Sequence, residues 1–449
     1  VVDTVNDATS RRAVVLPTGR FAAAMAAGGL ALLAWPGRSW AALGAVEAGL
    51  TALLVVDAVR CPSPRRIDVV RDAPAVATLG DRATMTWVVG YRGAGRARVV
   101  VADALWPSLQ PSSRRFRLQV AGGTRARVVA HLRPSRRGTF PLGEVTVRTA
   151  GPWGLACRQA GRTVAGLLRV MPAYPSRDEV GRRITSRRLL EAGARSSRSG
   201  GAGTEFDQLR EHRPDDEFRR IDWAASVRLQ RPIVRQYRSE RNQTVIVLLD
   251  NGRVMAGTVG EAPRVEHAMD AALAVTHAAA ELGDRVGLLA FDRQVRSIVV
   301  PMAGRAQLGR VAEAMFALEP ELAESAYASA FSEAIARFRR RALFVVLTDL
   351  VEAAVEEALL PALPILTRRH LVLVAGVRDP RVAGWAAGGL HEWPSEAFRE
   401  AAAVAALAQR ARAVARLRAA GAVVVDAAPG RLGVAVVDEY LAIKSSGRL

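Results

Sequence analysis

"VIVLLDNGRVM", residues 245–255, decides how the carboxyl-terminal half of the chain is read. Five apolar residues, three of them β-branched, run into Asp250, and Asn251, Gly252 and Arg253 follow. A short continuous apolar run closed by turn residues marks a strand buried on both faces. In open α/β sheets, ligands collect outside the carboxyl ends of such strands, near a reversal of strand order. Asp250 is therefore a candidate functional carboxylate.

Reading onward, strands and helices alternate. "TVIVLLD" (244–250), "RVGLLAFD" (285–292), "VRSIVVP" (295–301), "ALFVVLTDL" (342–350), "LVLVAGVRD" (371–379) and "AVVVDAA" (422–428) read as strands. Residues 264–282, "RAQLGRVAEAMFAL", "EEALLPALPILTRR" and the alanine-rich 395–419 read as helices between them. The pattern predicts a doubly wound, mostly parallel sheet with both faces covered, over residues 244–449. Asp349 ends "LFVVLT" as Asp250 ends "VIVLL". Two carboxylates converging on one rim are the oxygen donors a hard divalent cation such as Mg²⁺ takes.

Upstream, residues 176–243 form a segment rich in arginine and carboxylates. Residues 183–203 are Arg-, Ser- and Gly-rich and read as a loop. "GTEFDQLREHRPDDEFRRIDWAASVRLQRPIVRQYRSE" (203–240) mixes dense charge with Phe206, Leu209, Ile221, Trp223 and Tyr237. The aromatics call for burial and the charges for partners. The expected solution is a clamp whose arginines pair with its own carboxylates and with the neighbouring domain; a surface that receives a partner or an anionic ligand is the alternative.

Residues 61–175 change texture. "ATMTWVVGYR", "RARVVVADAL", "RFRLQVAG", "RARVVAHLR" and "EVTVRTAG" alternate apolar and polar residues between Gly/Pro breaks, the pattern of a β-sandwich-like module. No nucleophile, base or ligand cluster appears in it.

Residues 1–60 hold two apolar runs, "FAAAMAAGGLALLAW" (21–35) and "WAALGAVEAGLTALLVVDAV" (40–59), joined by "PGRS". They read as a transmembrane helical hairpin with Trp35 and Trp40 at the turn and Glu47 inside the second span. Arg11, Arg12 and Arg20 precede it, Arg60, Arg65 and Arg66 follow it, and the turn holds only Arg38. The positive-inside rule then places both ends, and the large domains, in the cytoplasm at the inner membrane. A cleaved signal peptide is the competing expectation.

The formal net charge is +20, nearly all of it arginine, since Lys444 is the only lysine. Such a charge admits nucleic acid as a partner. No basic helix face with a recognisable motif supports specific binding of that kind. Two cysteines, Cys61 and Cys157, argue against a disulfide framework and fit a reducing compartment. No Gly-Lys-Ser/Thr phosphate loop is present.

With these residues in view, the 244–449 region resembles a von Willebrand factor A domain. That family's metal-ion-dependent adhesion site begins Asp-x-Ser-x-Ser at the first strand's end, with a threonine and a second aspartate from later loops. Asp250 and Asp349 match the aspartates. Gly252 and Val254 stand at the serine positions and carry no side-chain oxygen, and Ser325 and Ser329 are the candidates for the threonine. The resemblance implies a degenerate site. The charged block ahead of it resembles the membrane-anchored family of domain of unknown function 58. Glu205, Phe206, Leu209, Arg210, Asp216, Arg220, Ile221, Asp222 and Trp223 match that family's signature or lie within one place of it, with His212 for the usual tyrosine and Asp215 for the usual glycine. This second resemblance implies partnership with a MoxR-like AAA+ ATPase and an unknown client protein.

Two functions from different classes follow. One is a non-catalytic, membrane-tethered adaptor docking through the sheet's carboxyl rim, with Gly252 and Arg253 on the docking loop. The other is a metal-assisted hydrolase or phosphotransferase using Asp250 and Asp349, with Asp292 or Asp379 nearby. His267, Asp270 and His277 share a helix at a spacing that predicts solvent-facing positions rather than a catalytic group.

Overall fold

In a computed structural model the described residues are 13–33, 40–197, 205–212, 218, 221–238, 243–389 and 393–446. The chain separates into two compact units, Val1–Met171 and Pro172–Leu449.

In the first unit, strand β1 (Val14–Pro17) leads into helix α1 (Gly19–Leu33), and α2 (Trp40–Arg60) follows. Strands β2 (Ile67–Asp72), β3 (Val76–Thr78), β4 (Ala83–Tyr91), β5 (Arg96–Asp103), β6 (Arg115–Ala121), β7 (Arg125–Leu132), β8 (Gly138–Ala150) and β9 (Ala156–Met171) complete it. One sheet runs β1-β9-β8-β5-β6 with β3 beside β9; the other runs β2-β4-β7. Alternation sends Val99 and Val101 of β5 and Val145 and Val147 of β8 inward against Ile67, Val89 and Tyr91 of the smaller sheet. Trp87, fully buried, donates its indole N–H to Asp103 at 2.7 Å, and Arg71 pairs with the same carboxylate at 3.0 Å.

Among the described residues one helix, α2, is long and apolar enough to cross a membrane, and only 6% of its apolar window is buried. Its 21 residues span about 32 Å, against a hydrocarbon core of about 30 Å. The described part of α1 is 15 residues, about 22 Å, which is short of that span. Trp35, Arg38, Arg11 and Arg12 lie outside the described residues.

The last turn of α2 carries a residue that hydropathy reading passes over. Asp57 is fully buried and accepts hydrogen bonds from the backbone N–H groups of Trp153 (2.8 Å), Leu155 (2.7 Å) and Ala156 (2.8 Å). At the other helix, Thr18 donates its N–H to Leu155 O and its hydroxyl to Gly154 O. The base of both helices is thus fastened to one turn of the sheet module. Asp57→Asn weakens these charge-assisted bonds and puts an NH₂ group among donors, at an expected cost of about 1–2 kcal/mol. Faster hydrogen exchange at the Trp153, Leu155 and Ala156 amides would report it; unchanged exchange would show that the carboxylate is not what holds the turn.

The second unit opens with α3 (Arg177–Ser197), which runs on into the 183–203 stretch whose composition predicts a loop. Two residues four apart explain the difference. Val180 and Ile184 are buried in the same core as the helices that follow, and Arg183 bonds Asp438 at 2.7 Å. Next come β10 (Glu205–Glu211), α4 (Trp223–Leu229) and β11 (Ile233–Arg238); β10 and β11 form an antiparallel pair.

The main sheet is then built from β12 (Thr244–Asp250), α5 (Arg253–Ala256), the short β13 (Thr258–Val259) and β14 (Ala262–Pro263), α6 (Arg264–Glu281), β15 (Arg285–Phe291), β16 (Val295–Met302), α7 (Ala306–Phe316) and α8 (Tyr327–Arg337). After these come β17 (Leu343–Leu347), α9 (Glu352–Ala354), α10 (Leu360–Thr367), β18 (Leu371–Val377), α11 (Pro380–Ala386), α12 (Pro394–Ala419), β19 (Val423–Ala427) and α13 (Leu432–Ser445). Strand order is β16-β15-β12-β17-β18-β19, parallel except at the β15–β16 hairpin. Val245, Val247 and Leu249 face the core under α6 and α13, while Ile246 and Leu248 face the one under α8 and α10. Both faces are covered, which is why β12 is apolar throughout. The chain passes from β12 to β15 on one side and returns to β17 on the other, so the reversal of strand order falls at β12.

Candidate functional site

The register sets the rim. Leu249 of β12 pairs with Leu347 of β17, so Asp250 stands level with Thr348, and Asp349 lies one residue beyond, on the same carboxyl edge.

The Asp250 carboxylate is fully buried and lies among four donors. Oδ1 accepts from the Gly252 N–H at 2.9 Å and the Ser325 hydroxyl at 2.5 Å; Oδ2 accepts from the hydroxyls of Tyr327 and Thr348, each at 2.6 Å. Burial, and then the adjacent Asp250 charge, push the Tyr327 phenol well above its ordinary range, so it remains a donor. Arg253 does not contact this carboxylate; its guanidinium pairs with Glu324 at 3.1 Å on the surface.

Gly252 explains how Ser325 enters. A methyl group built on Gly252 would overlap Ser325 Oγ and approach Ala323 O to 3.0 Å and Asp250 Oδ1 to 3.3 Å. The hydroxyl missing from position 252 is thus delivered from position 325. Ser329 is exposed on α8 and plays no part.

Asp349 is held by arginines. Arg410 Nη1 donates to Oδ1 at 2.9 Å, and Arg264 Nε stands 2.9 Å from Oδ2 as an ion pair. Arg410 also forks onto Asp426 at 2.9 and 3.0 Å and donates to Val377 O. Burial pulls the Arg410 guanidinium down, but its bonds to Asp426 and Asp349 more than offset that and leave it above its ordinary range. Gly376 on β18 lies in a tight spot beside the triad: a methyl group there would sit 3.0 Å from Leu350 Cγ and from Thr348 O, and 3.3 Å from Arg410 Nη2. A cavity of about 190 Å³ opens beside this triad, bordered by Arg378, Asp379 and Glu352.

The donor set does not suit a Mg²⁺ ion bridging Asp250 and Asp349. The Asp250 oxygens already meet four protons, Gly252 and Val254 offer no side-chain oxygen, and a guanidinium stands at each oxygen of Asp349. Among the described residues no group of three or more His, Cys, Asp or Glu is placed to hold a metal ion.

The other predicted acids serve the fold. Burial pushes the Asp292 carboxyl up, but bonds from Arg296 and the Gln294 N–H more than offset it and hold it low. Asp379 caps α11 and is held low by Arg381. His267, Asp270 and His277 are not the solvent-facing positions their spacing predicts. Asp270 is buried and accepts from Ser176 N–H and hydroxyl, with its carboxyl raised by burial; His277 Nδ1 meets Tyr174 at 3.0 Å, and His267 Nε2 meets Val259 O at 3.1 Å.

The signature block departs from the expected clamp. Trp223 is 67% exposed and Leu209 43% exposed, so the aromatic is not buried. The reason is local: Asp222 is the N-cap of α4, accepting from Ala225 N–H at 3.0 Å, and this places Trp223 at the first helical position, facing out. Ile221 bridges Val234, and Ala225, Ser226, Ile233 and Val234 make the small buried seam. The Arg231–Glu211 pair is exposed at 3.6 Å, a contact of little energy. Glu205, Phe206 and Arg210 lie on β10, but their side chains lie outside the described residues, as do Asp216 and Arg220 altogether.

A family profile described as "Protein of unknown function DUF58" matches residues 208–416. Uncharacterized proteins of Mycobacterium tuberculosis and Mycobacterium bovis are each 25% identical to this chain over 268 residues, covering 56% of it and 82% of the relative. Among solved structures, proximal thread matrix protein 1 from the mussel byssus is 10% identical, covers 46% of this chain and 45% of its own, and superposes with a TM-score of 0.24. From the end of the β10 signature strand through the strand-end acids to α12, the chain is therefore similar to the family of unknown function DUF58.

Proposed function

We propose that this chain is a non-catalytic adaptor, tethered to the inner membrane by a two-helix hairpin, with its large units in the cytoplasm. Its von Willebrand A-like unit docks a MoxR-like AAA+ ATPase and a client protein. The observation that carries this reading is that both rim carboxylates are committed to internal donors, which suits a rigid, pre-shaped docking edge better than an open cation site. The exposed Trp223 and Leu209 of the signature block suit a partner interface, where aromatic anchors dominate binding energy. Arg60, Arg65 and Arg66 after the long apolar helix support the orientation.

Full-length protein in nanodiscs, titrated with a purified MoxR-like ATPase, is the direct test. Saturable binding is expected, weakened about tenfold or more by Leu209→Asp with Trp223→Asp. Absence of binding would remove the ATPase from the proposal. Calorimetry with Mg²⁺ is expected to give no heat that Asp250→Ala abolishes; a stoichiometric, Asp250-dependent heat would favour metal chemistry instead.

A further inference from the structure

We propose that the first unit carries a binding site for an anionic glycerophospholipid at the foot of its two helices, resting on the reading that α2 crosses the membrane. A cavity of about 530 Å³ lies on the outer face of the larger sheet. One wall is Leu16–Gly19, the residues that lead into α1; another is Ala150 and Cys157, which flank the turn that Asp57 and Thr18 fasten. Arg98, Arg117 and Arg148 line it, from three adjacent strands, and among the described residues no acidic one does. Arg98 donates to the carbonyls of Gly151 and Pro152, and Arg148 donates to Gln159 Oε1 at 2.6 and 3.1 Å. Among the described residues none of the three forms an ion pair, whereas Arg71 and Arg92 of the same unit each hold an aspartate.

Position selects the ligand. If α2 spans the hydrocarbon, its Arg60 end lies at the interface. Trp153 on the fastened turn is 45% exposed with the Arg60 guanidinium 5.8 Å from its ring centre, as suits an interfacial aromatic. The cavity beside that turn then stands at headgroup depth. Three guanidiniums without an ion pair among the described residues match a phosphodiester, which arginine grips bidentately. Val100, Leu118 and Leu16 supply an apolar side that a soluble anion does not need. Basic pockets of this kind at the cytoplasmic face hold anionic headgroups.

The test uses the full-length chain reconstituted in phosphatidylcholine vesicles containing about one-tenth phosphatidylglycerol, then extracted in mild detergent, with retained lipid quantified by mass spectrometry. Wild type is expected to retain phosphatidylglycerol about tenfold above its bulk ratio. Arg98→Gln/Arg117→Gln/Arg148→Gln should fall to the bulk ratio, and Arg117→Gln alone, at an exposed position with no side-chain bond among the described residues to lose, should drop about threefold. A control removing equal charge from the other sheet region, Arg82→Gln/Arg125→Gln/Arg127→Gln, should keep the preference. Bulk-ratio retention by wild type, an unchanged preference in the triple and single site variants, or equal loss in the control overturns the site. Displacement of the lipid by millimolar inorganic phosphate would also overturn it, by assigning the cavity to a soluble anion. Alkaline carbonate extraction is read separately: release of wild type from membranes would sink the membrane reading itself, whereas resistance with bulk-ratio lipid sinks only the lipid site.

Discussion

Arg410→Ala is expected to lower the stability of the α/β unit by about 3–5 kcal/mol, because it leaves two carboxylates without their shared cation. Asp349 has a side chain 1% exposed and would retain Arg264 and the Leu350 N–H at 2.9 Å; Asp426 is 20% exposed and would lose its fork entirely. The low end of the range is expected, since the Arg410 side chain is itself 15% exposed and some water already reaches the triad. A loss near 3 kcal/mol corresponds to a fall in Tm of about 6–12 °C for a unit of this size. Arg410→Lys should recover only part of it, because an ammonium cannot reproduce the planar fork that reaches Asp349, Asp426 and Val377 O together. Arg410→Ala combined with Asp349→Asn and Asp426→Asn should recover part of it, since both buried carboxylate charges are gone while the 23% exposed Arg264 loses its partner. Thermal unfolding followed by circular dichroism measures all three. A fall below about 1 kcal/mol for Arg410→Ala would mean that the rim triad is solvated and contributes no rigidity.

The residues of this triad differ in how much of their role the sequence exposes. Asp349 is legible because it closes an apolar run, and Asp250 for the same reason. Arg410 is not, because it sits in an alanine- and arginine-rich helix beside Arg412, Arg416 and Arg418, and only the packing of α12 over β18 and β19 decides which guanidinium faces the sheet. Tyr327, Ser325 and Thr348 stand 75 to 98 positions from Asp250, and no local pattern connects them to it. The strands of the α/β unit were legible because burial on both faces forces continuous apolar runs. Helix α3 was not, because only Val180 and Ile184 of its first turns enter the core, and the arginines around them read as loop. Asp57 was hidden by the opposite effect: its apolar neighbours marked a span, and its three bonds come from a turn almost a hundred residues on.

The rim's other half turns on Gly252. Restoring a side chain there, as the Asp-x-Ser pattern suggests, is expected to damage the site rather than complete it. The β-carbon of Gly252→Ala would displace Ser325 Oγ, removing one of the four donors from a fully buried carboxylate while pressing on Ala323 O. An overpacked site and a lost bond to a buried charge together give an expected cost of about 2–4 kcal/mol. Gly252→Ser should cost no less, since its hydroxyl starts from the same obstructed β-carbon. The compensating change is specific: Ser325→Ala in the Gly252→Ser background empties the contested space and lets an oxygen reach Asp250 from position 252. The double variant should be more stable than the sum of its single changes predicts, by about 1–2 kcal/mol, the sign expected of two residues competing for one volume. Full additivity would mean that Ser325 does not occupy that volume in solution. The same double variant is the sharpest probe of the docking edge. It keeps Asp250 supplied with donors and removes only the Ser325 hydroxyl's tie, since the Arg253 N–H still bonds Ala323 O and the Ala326 N–H still bonds Asp292 O, so partner binding that survives it does not depend on that hydroxyl.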